Sequence, residues 1–284
     1  MKIIKNPKQM SNLSLSLKKQ GQKIGFVPTM GYLHQGHLSL IRRARKETDI
    51  VVVSIFVNPA QFGQGEDYKQ YPRDLKKDKQ LAQRAGADII FAPGAADMYS
   101  QGYQTYVEVQ DLTKGLCGAS RPGHFCGVTT VVTKLFNIVQ PDTAYFGQKD
   151  AQQALVIKRM VKDLNLGLKV KVLPILREKD GLALSSRNRY LSKKERQQAV
   201  HLYLSLREAR VMINRGERSA AKIKNKINHL ISVGIDKAGI DYIALVDTQD
   251  LTPLKVLKGR VLIALAVYVG HTRLIDNIIV RIKK

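Results

Sequence analysis

Residues 23–37 have the sequence KIGFVPTMGYLHQGH, and this segment sets the architecture of the chain. Its apolar start predicts a strand from Lys23 to Val27, and the apolar spacing beyond it predicts a helix from His37 to Lys46. A loop with glycines joins the strand to the helix. Such a junction is where an open α/β sheet binds phosphate, because backbone N–H groups and the helix dipole both attract anions.

Strand-like and helix-like segments alternate around this junction up to about residue 175, which is typical of βαβ units and a parallel sheet. Further strands are predicted at Asp49 to Val57, Asp88 to Ala92, Thr143 to Phe146 and Lys169 to Leu173. Further helices are predicted at Asp74 to Ala85, Val128 to Val139 and Ala151 to Leu164. The first strand and its neighbours are continuous apolar runs, as expected of strands covered by helices on both faces.

The pattern changes after about Pro174. The S-x-x-E sequence that starts at Ser192 is a capping box, and it predicts a long helical stretch to about Arg215. A second helix is predicted from Ser219 to Ser232. Strands follow at Ile240 to Val246, Gly259 to Val269 and Thr272 to Arg281. This part of the chain is therefore predicted to be α+β, with a small antiparallel sheet.

These segments predict an α/β protein with two domains. Residues 1–175 are expected to form a Rossmann-like parallel sheet domain that binds nucleotide and the second substrate. Residues 176–284 are expected to form the smaller α+β domain, which would act as a lid. A lid that closes over a reactive intermediate would exclude water from it.

The composition is that of an average globular protein, with 284 residues of which 44% are hydrophobic and 25% charged. No run approaches the roughly 18–20 apolar residues of a membrane span, and the N-terminus has no apolar signal segment. The two cysteines, Cys117 and Cys126, are too few for a disulfide framework or a zinc site of their own. We expect a cytoplasmic protein with reduced thiols and no membrane partner.

The formal net charge is +24, an excess that leaves an acidic substrate, nucleic acid and mere solubility as explanations. The basic residues are divided evenly between the two parts of the chain. A nucleic-acid-binding module would cluster them and interleave aromatic residues, whereas aromatic residues make up only 6% and tryptophan is absent. We expect no specific nucleic-acid partner.

His34 and His37 lie three residues apart where the predicted helix begins, so their imidazoles can add side-chain donors to the same anion. A single histidine is more often a surface or core residue. A zinc site would need a third ligand, which the sequence does not indicate.

The longer string P-T-M-G-Y-L-H-Q-G-H resembles the H-x-G-H signature of the nucleotidyltransferases that include class I aminoacyl-tRNA synthetases. In this form it resembles the pantothenate synthetase family. Further blocks with the same resemblance are FVNPAQF (56–62), RPGHF (121–125), FGQKDAQQ (146–153) and DGLALSSRN (180–188). The glutamine pair and R-P-G-H-F are foreign to the tRNA-directed enzymes, which are the rival class.

The resemblance implies an ATP-dependent ligase. In this family (R)-pantoate and ATP form pantoyl adenylate and pyrophosphate, and β-alanine then displaces AMP to give pantothenate. Mg²⁺ would accompany ATP, and the protein would be a homodimer. Of possible metal ligands, Asp78 is the candidate, although lysines surround it at positions 76, 77 and 79.

The resemblance also implies the site residues. His34, His37 and Lys149 would be catalytic. ATP would contact Met30, Gly31, Tyr32, Leu33, His34, Gln35, Gly36, His37, Gly147, Gln148, Lys149, Asp150, Leu176, Leu184, Ser185, Ser186 and Arg187. Pantoate or β-alanine would contact Asn58, Gln61, Arg121, His124 and Gln153.

The chemistry of adenylate formation suits neutral amides at the pantoate position. The carboxylate must stay nucleophilic, and a bidentate arginine would stabilise it before reaction. Gln61 and Gln153 can hold its oxygens without adding charge. For Arg121 and His124 a structural role in the turn is an equal alternative to substrate binding.

Overall fold

The computed structural model describes residues 1–282. The chain forms two compact units, each built from more than one segment. The first unit comprises Met1–Thr113, Arg121–Gln148 and Gln153–Pro174. The second comprises Lys114–Ser120, Lys149–Gln152 and the chain from Ile175 onward. Two short segments from the N-terminal part of the chain therefore belong to the second unit, which the sequence did not indicate. The roles assigned to the two domains stay predictions.

A parallel sheet lies at the centre of the first unit. Its strands are β1 (Lys2–Ile4), β2 (Ile24–Thr29), β3 (Ile50–Ile55), β4 (Ile89–Phe91), β5 (Thr143–Gly147) and β6 (Lys169–Leu173). All neighbours are parallel, in the order β1-β4-β3-β2-β5-β6, so the predicted Rossmann-like sheet is confirmed. The edge strand β1 was not predicted, because three residues are too short to show a period.

Helices connect these strands. In chain order up to β6 they are α1 (Pro7–Lys19), α2 (Gln35–Glu47), α3 (Leu75–Ala85), α4 (Ala95–Met98), α5 (Cys117–Ser120), α6 (His124–Val139) and α7 (Ala151–Asp163). The structure confirms the predicted helices as α2, α3, α6 and α7. Helix α1 was not predicted, although Asn6 caps it and Pro7 opens it. Within residues 1–282 no helix has the length and apolar character to cross a membrane.

Successive residues of the central strands face opposite layers of helices. Phe26 and Val52 belong to the apolar cluster that contains α6 residues, whereas Val27 and Val53 belong to the cluster that contains α2 residues. All four side chains are fully buried. Burial of each contributes about 1.5–3 kcal/mol. Successive side chains point to opposite faces, and helices cover both faces. Successive positions along these strands are therefore apolar.

The second unit is α+β, as predicted. Its elements are α8 (Lys193–Gln198), α9 (His201–Asn214), α10 (Ala220–Gly234), β7 (Gly239–Asp247), β8 (Arg260–Val269) and β9 (Thr272–Arg281). The strands form an antiparallel sheet in the order β7-β8-β9. The capping box of Ser192 and Glu195 is present. The long helical stretch predicted after it is present as two helices, α8 and α9, which are separated by Ala199 and Val200 where no proline or glycine marks a break.

The two faces of this antiparallel sheet explain how the second unit is composed. Ile263 and Leu265 face the apolar core formed with α9 and α10. Leu262 and Ala264 alternate with them and face a smaller cluster, which includes Leu116 and Ala151. The segments Lys114–Ser120 and Lys149–Gln152 thus cover the face of the sheet opposite to the helices.

Glu47, the last residue of α2, joins the helix to the sheet of the first unit. Its carboxylate accepts hydrogen bonds from Lys171 Nζ (2.9 Å), the Tyr145 hydroxyl (2.8 Å) and Arg43 Nε (2.7 Å). The bonds from Lys171 and Tyr145, against the effect of burial, lower the pKa of Glu47 from 4.5 to about 2. A lowered pKa means that folding favours the ionised form.

Replacing Glu47 by glutamine should therefore lower the free energy of unfolding at pH 7 by about 1–2 kcal/mol, after allowance for solvent screening. The folded-state pKa lies below the unfolded value of 4.5, so this stability is present above pH 4.5 and lost as the pH falls toward 2. Urea unfolding from pH 7 to pH 3 measures it. The control is Asp163→Asn, which breaks an exposed ion pair on α7. A Glu47→Gln deficit independent of pH would contradict the interpretation.

Candidate active site

The loop after β2 begins with a side chain that ties it to β3. The Thr29 hydroxyl donates to the carbonyl of Ser54 (2.7 Å) and accepts the N–H of Gly31 (3.1 Å). Gly31 has a φ of +83°. A Cβ there would lie 2.9 Å from the Ile55 side chain and 3.0 Å from an Asp78 oxygen. This position therefore requires glycine both for its backbone conformation and for space.

Asp78, on α3, holds the next part of the same loop. Its two carboxylate oxygens accept the N–H groups of Tyr32 (2.8 Å) and Leu33 (2.7 Å). Only 2% of Asp78 is exposed. Burial raises the pKa of this carboxyl, while the two hydrogen bonds act in the opposite direction. These contacts assign Asp78 to holding the loop, although the metal role predicted for it stays a prediction.

His34 and His37 cap the helix that follows. His34 Nδ1 accepts the N–H of Gly36 (3.1 Å), and His37 Nδ1 accepts the N–H of His34 (3.3 Å). The two rings lie 4.1 Å apart. A ring nitrogen that accepts an N–H carries no proton, so in each neutral imidazole the proton is on Nε2. The start of α2 thus combines backbone N–H groups with two Nε2–H donors, a suitable arrangement for an anion.

The order of strands places further predicted residues at the same edge of the sheet. β2 lies between β3 and β5, so the chain order reverses at β2 and β5. The loops after these parallel strands leave from one edge, which is where open α/β sheets bind ligands. Gly147 ends β5, and Gln148 follows it. Gln153 lies in the first turns of α7 and is half-buried.

Asn58 and Gln61 lie at the ends of a short turn after β3, next to α6. Asn58 Nδ2 donates to Gln61 Oε1 (3.2 Å) and to the carbonyl of Gly127 (3.1 Å). A Cβ on Gly127 would lie 2.2 Å from the carbonyl oxygen of Ala60, so only glycine lets α6 approach the turn. Gln61 Nε2 lies 3.1 Å from the sulfur of Met30. The structure thus brings a predicted pantoate residue against a predicted ATP residue.

Arg121 and His124 surround the backbone carbonyl of Gln61. His124 Nδ1 lies 2.8 Å from this oxygen, and an Arg121 nitrogen donates to it at 3.3 Å. Arg121 Nε also donates to Glu66 (2.6 Å). Burial raises the pKa of Glu66, but the hydrogen bonds and the charge of Arg121 outweigh it and hold the pKa below its usual value. The contacts support a structural role for both residues, and substrate binding by them stays a prediction.

The remaining predicted residues lie in the second unit. The carbonyl of Lys149 accepts a hydrogen bond from Asn277 Nδ2 (3.0 Å), and Lys149 Nζ lies 3.5 Å from Asp150. Leu184 donates its N–H to the carbonyl of Leu176 (3.0 Å). The Ser185 hydroxyl caps the turn that follows by accepting the N–H of Arg187 (3.2 Å), and Ser186 opens that turn.

A buried ion pair supports the second unit beneath these residues. Arg177 donates to both oxygens of Asp276 (2.6 and 2.8 Å), to the carbonyl of Gly181 (3.0 Å) and to that of Asn277 (3.4 Å). The Asp276 side chain is only 1% exposed. This network was not predicted from the sequence. Its signal is the Asp-Asn pair in the otherwise apolar strand β9.

No metal centre is evident among residues 1–282, which contain no group of three or more His, Cys, Asp or Glu side chains placed to hold an ion. Asp78 uses both of its carboxylate oxygens for backbone N–H groups. A magnesium ion that enters with ATP needs fewer protein ligands than such a group would supply, so the metal role predicted for Asp78 stays a prediction.

The fold and the histidine-capped loop define an α/β enzyme of the H-x-G-H type. The family model described as pantoate-beta-alanine ligase matches residues 2–279. A pantothenate synthetase of Heliobacterium modesticaldum is 57% identical over 282 residues, which cover 99% of this chain and 100% of that protein. This chain belongs to the pantoate-beta-alanine ligase family.

Solved structures agree with this assignment. The crystal structure of pantothenate synthetase from Thermus thermophilus is similar at 46% identity and a TM-score of 0.92, covering 98% of this chain and 99% of that one. A pantoate-beta-alanine ligase from Francisella tularensis, complexed with beta-gamma ATP and beta-alanine, is 41% identical with a TM-score of 0.79, covering 98% and 97%. The family resemblance and the fold class inferred from the sequence are confirmed.

The role of Asp78 can be tested on the amides it holds. Asparagine has one acceptor oxygen, so Asp78→Asn should leave Tyr32 or Leu33 without an acceptor and destabilise the protein by about 1–3 kcal/mol. Hydrogen exchange of the peptide that contains residues 30–37 should accelerate. The control is Asp74→Asn on the same helix, because asparagine caps a helix as well as aspartate does. Equal exchange in the two variants would show that Asp78 does not hold the loop.

Proposed function

We propose that this chain catalyses the ATP-dependent joining of (R)-pantoate to β-alanine through pantoyl adenylate. In the first step a carboxylate oxygen of pantoate attacks the α-phosphorus of ATP. The bond from this phosphorus to the bridging oxygen breaks, and pyrophosphate leaves with the electron pair. In the second step the β-alanine amine attacks the acyl carbon and loses a proton, and the bond to AMP breaks.

The histidine cap of α2 is the observation that carries this proposal. Adenylyl transfer spreads negative charge over the α-phosphate and the leaving pyrophosphate, so catalysis depends mainly on positioned donors. His34 and His37 supply Nε2–H donors beside the N–H groups of a helix start. We assign both histidines, with the loop Met30–Leu33 and residues Gln35 and Gly36, to the phosphates of ATP.

Further ATP contacts are assigned to residues that match the family's blocks. Lys149 would add a positive charge for the developing phosphate charge, and Ser185, Ser186 and Arg187 would add donors. The bond from Asn277 to the Lys149 carbonyl and the cap made by Ser185 support this, because a preorganised donor loses little entropy on binding. Other residues assigned to ATP are Gly147, Gln148, Asp150, Leu176 and Leu184.

Pantoate is assigned to the two glutamines, Gln61 and Gln153, with Asn58 behind the first of them. Their amides carry no charge, which leaves the carboxylate nucleophilic. The contacts of Arg121 support the same assignment, since its charge is paired with Glu66, one nitrogen donates to the carbonyl of Gln61 and another contacts His124 Nε2. We therefore assign Arg121 and His124 to shaping the Gln61 turn.

The remaining assignments follow from the family and from the charge of the chain. Mg²⁺ would enter with ATP and would supply positive charge to the phosphates, with Asp78 as the candidate protein ligand. A positive surface favours the approach of anionic ATP and pantoate, which accounts for the net charge. No specific nucleic-acid partner is proposed. The homodimer and the cytoplasmic location rest on the family resemblance, and both cysteines are free thiols.

The two half-reactions give the sharpest test. His37→Ala and Lys149→Ala should each reduce pantoate-dependent exchange of labelled pyrophosphate into ATP by about 10²–10³. Amide formation from supplied pantoyl adenylate should be reduced less, because pyrophosphate has already left. Exchange without β-alanine is compared with single-turnover amide formation.

The matched controls for this test are His229→Ala and Lys224→Ala, both on the exposed side of α10. They should leave both half-reactions unchanged. Equal losses in the two half-reactions for His37→Ala would show that the residue holds the AMP portion or the fold. No exchange in the wild type would reject the adenylate mechanism.

The amide assignment predicts a selective change in the Michaelis constants. Gln61→Ala and Gln153→Ala each remove hydrogen bonds worth about 0.5–1.5 kcal/mol, or more if a buried partner stays unpaired. The KM for pantoate should rise about 2–10-fold or more, while the KM for ATP stays within two-fold. Steady-state release of AMP measures both constants. An unchanged pantoate KM in both variants would refute the assignment.

A further inference from the structure

Tyr99 lies directly after α4 and reaches the turn that carries Gln61. Its hydroxyl donates to Asn58 Oδ1 at 2.8 Å, the shortest hydrogen bond that the Asn58 side chain makes among the described residues. Asn58 is 1% exposed. Burial, and the nearby Tyr103, raise the pKa of Tyr99, so the phenol keeps its proton at neutral pH and acts as the donor.

The contacts of Asn58 fix which way round its amide lies. Oδ1 accepts from Tyr99 and from the N–H of Ala60 (3.3 Å), and Nδ2 donates to the carbonyl of Gly127 (3.1 Å). Reversal of the amide would set a donor against the Ala60 N–H and an acceptor against the Gly127 carbonyl. A buried amide in this position has one favourable orientation.

The orientation of Asn58 in turn fixes the orientation of Gln61. The second N–H of Asn58 Nδ2 points to Gln61 Oε1 (3.2 Å), so the oxygen of Gln61 is used inside the protein. The NH₂ end of Gln61 then lies beside the Met30 sulfur (3.1 Å), which is a weak acceptor. A strong donor next to a weak acceptor suits a ligand that brings an oxygen.

We infer that Tyr99 is a positioning residue that fixes the polarity of the Gln61 amide through Asn58. Gln61 therefore offers a donor, which selects a carboxylate or hydroxyl oxygen of the acid substrate and disfavours a donor group in its place. The inference rests on the proposed role of Gln61 in binding pantoate.

The aromatic surroundings of Tyr99 supply a matched control. Tyr103 packs edge-on against the Tyr99 ring at 5.1 Å, and Phe56 lies 6.5 Å from it. Tyr99→Phe keeps this packing and removes one hydroxyl. Tyr103→Phe removes a hydroxyl from the same aromatic cluster. The hydrogen bonds that lead to Gln61 start from the Tyr99 hydroxyl and pass through Asn58.

Tyr99→Phe should raise the pantoate KM about 2–10-fold and leave the KM values of ATP and β-alanine within two-fold. Tyr103→Phe should leave all three within two-fold. If Tyr99 acts through Gln61, Tyr99→Phe should have no further effect on the pantoate KM in a Gln61→Ala background. Steady-state kinetics of the four variants, with thermal unfolding to compare their stability, measures this cycle.

The outcomes separate the inference from the proposed function. A normal pantoate KM in Gln61→Ala would overturn the pantoate assignment and the inference with it. A raised KM in Gln61→Ala with a normal KM in Tyr99→Phe would overturn the inference alone. An effect of Tyr99→Phe that persists in full without the Gln61 side chain would do the same, because the hydroxyl would then act by another route.

Discussion

The junction of β2 and α2 depends on hydrogen bonds between the buried Asp78 carboxylate and a turn whose backbone has positive φ angles. Gly31 and Tyr32 both have positive φ angles, and the N–H groups of Tyr32 and Leu33 point to Asp78. A buried N–H without an acceptor costs about 1–3 kcal/mol, so the sharp turn and the carboxylate of α3 require each other. The turn delivers His34 to the N-cap of α2, beside the N–H groups of the helix start.

The surroundings of the Gln61 side chain carry little net charge. The Gln61 side chain contacts the Asn58 amide and the Met30 sulfur, and the Tyr99 phenol holds Asn58. Arg121, which donates to the Gln61 carbonyl, is paired with Glu66. Such a network restricts the conformations of Gln61 while adding little positive potential. A site that must bind a carboxylate and still let it attack phosphorus benefits from this combination of order and neutrality.

The second unit uses a different device, a buried ion pair. Arg177 and Asp276 are mutually neutralised, and the donors that remain on Arg177 hold the carbonyls of Gly181 and Asn277. Asn277 extends the network to the carbonyl of Lys149. Two polar residues of an apolar strand thereby position a loop and a hairpin that carry predicted ATP residues.

The sequence by itself determined the parallel sheet, the antiparallel sheet and the H-x-G-H junction, because apolar periodicity and capping residues are local signals. It also indicated Asn58 and Gln61, through their position in the F-V-N-P-A-Q-F block. Only the tertiary structure decided the contacts of Tyr99, Asp78 and Asp276. Their partners lie 41, 45 and 99 residues away in the chain, and no local pattern encodes a hydrogen bond across such a separation.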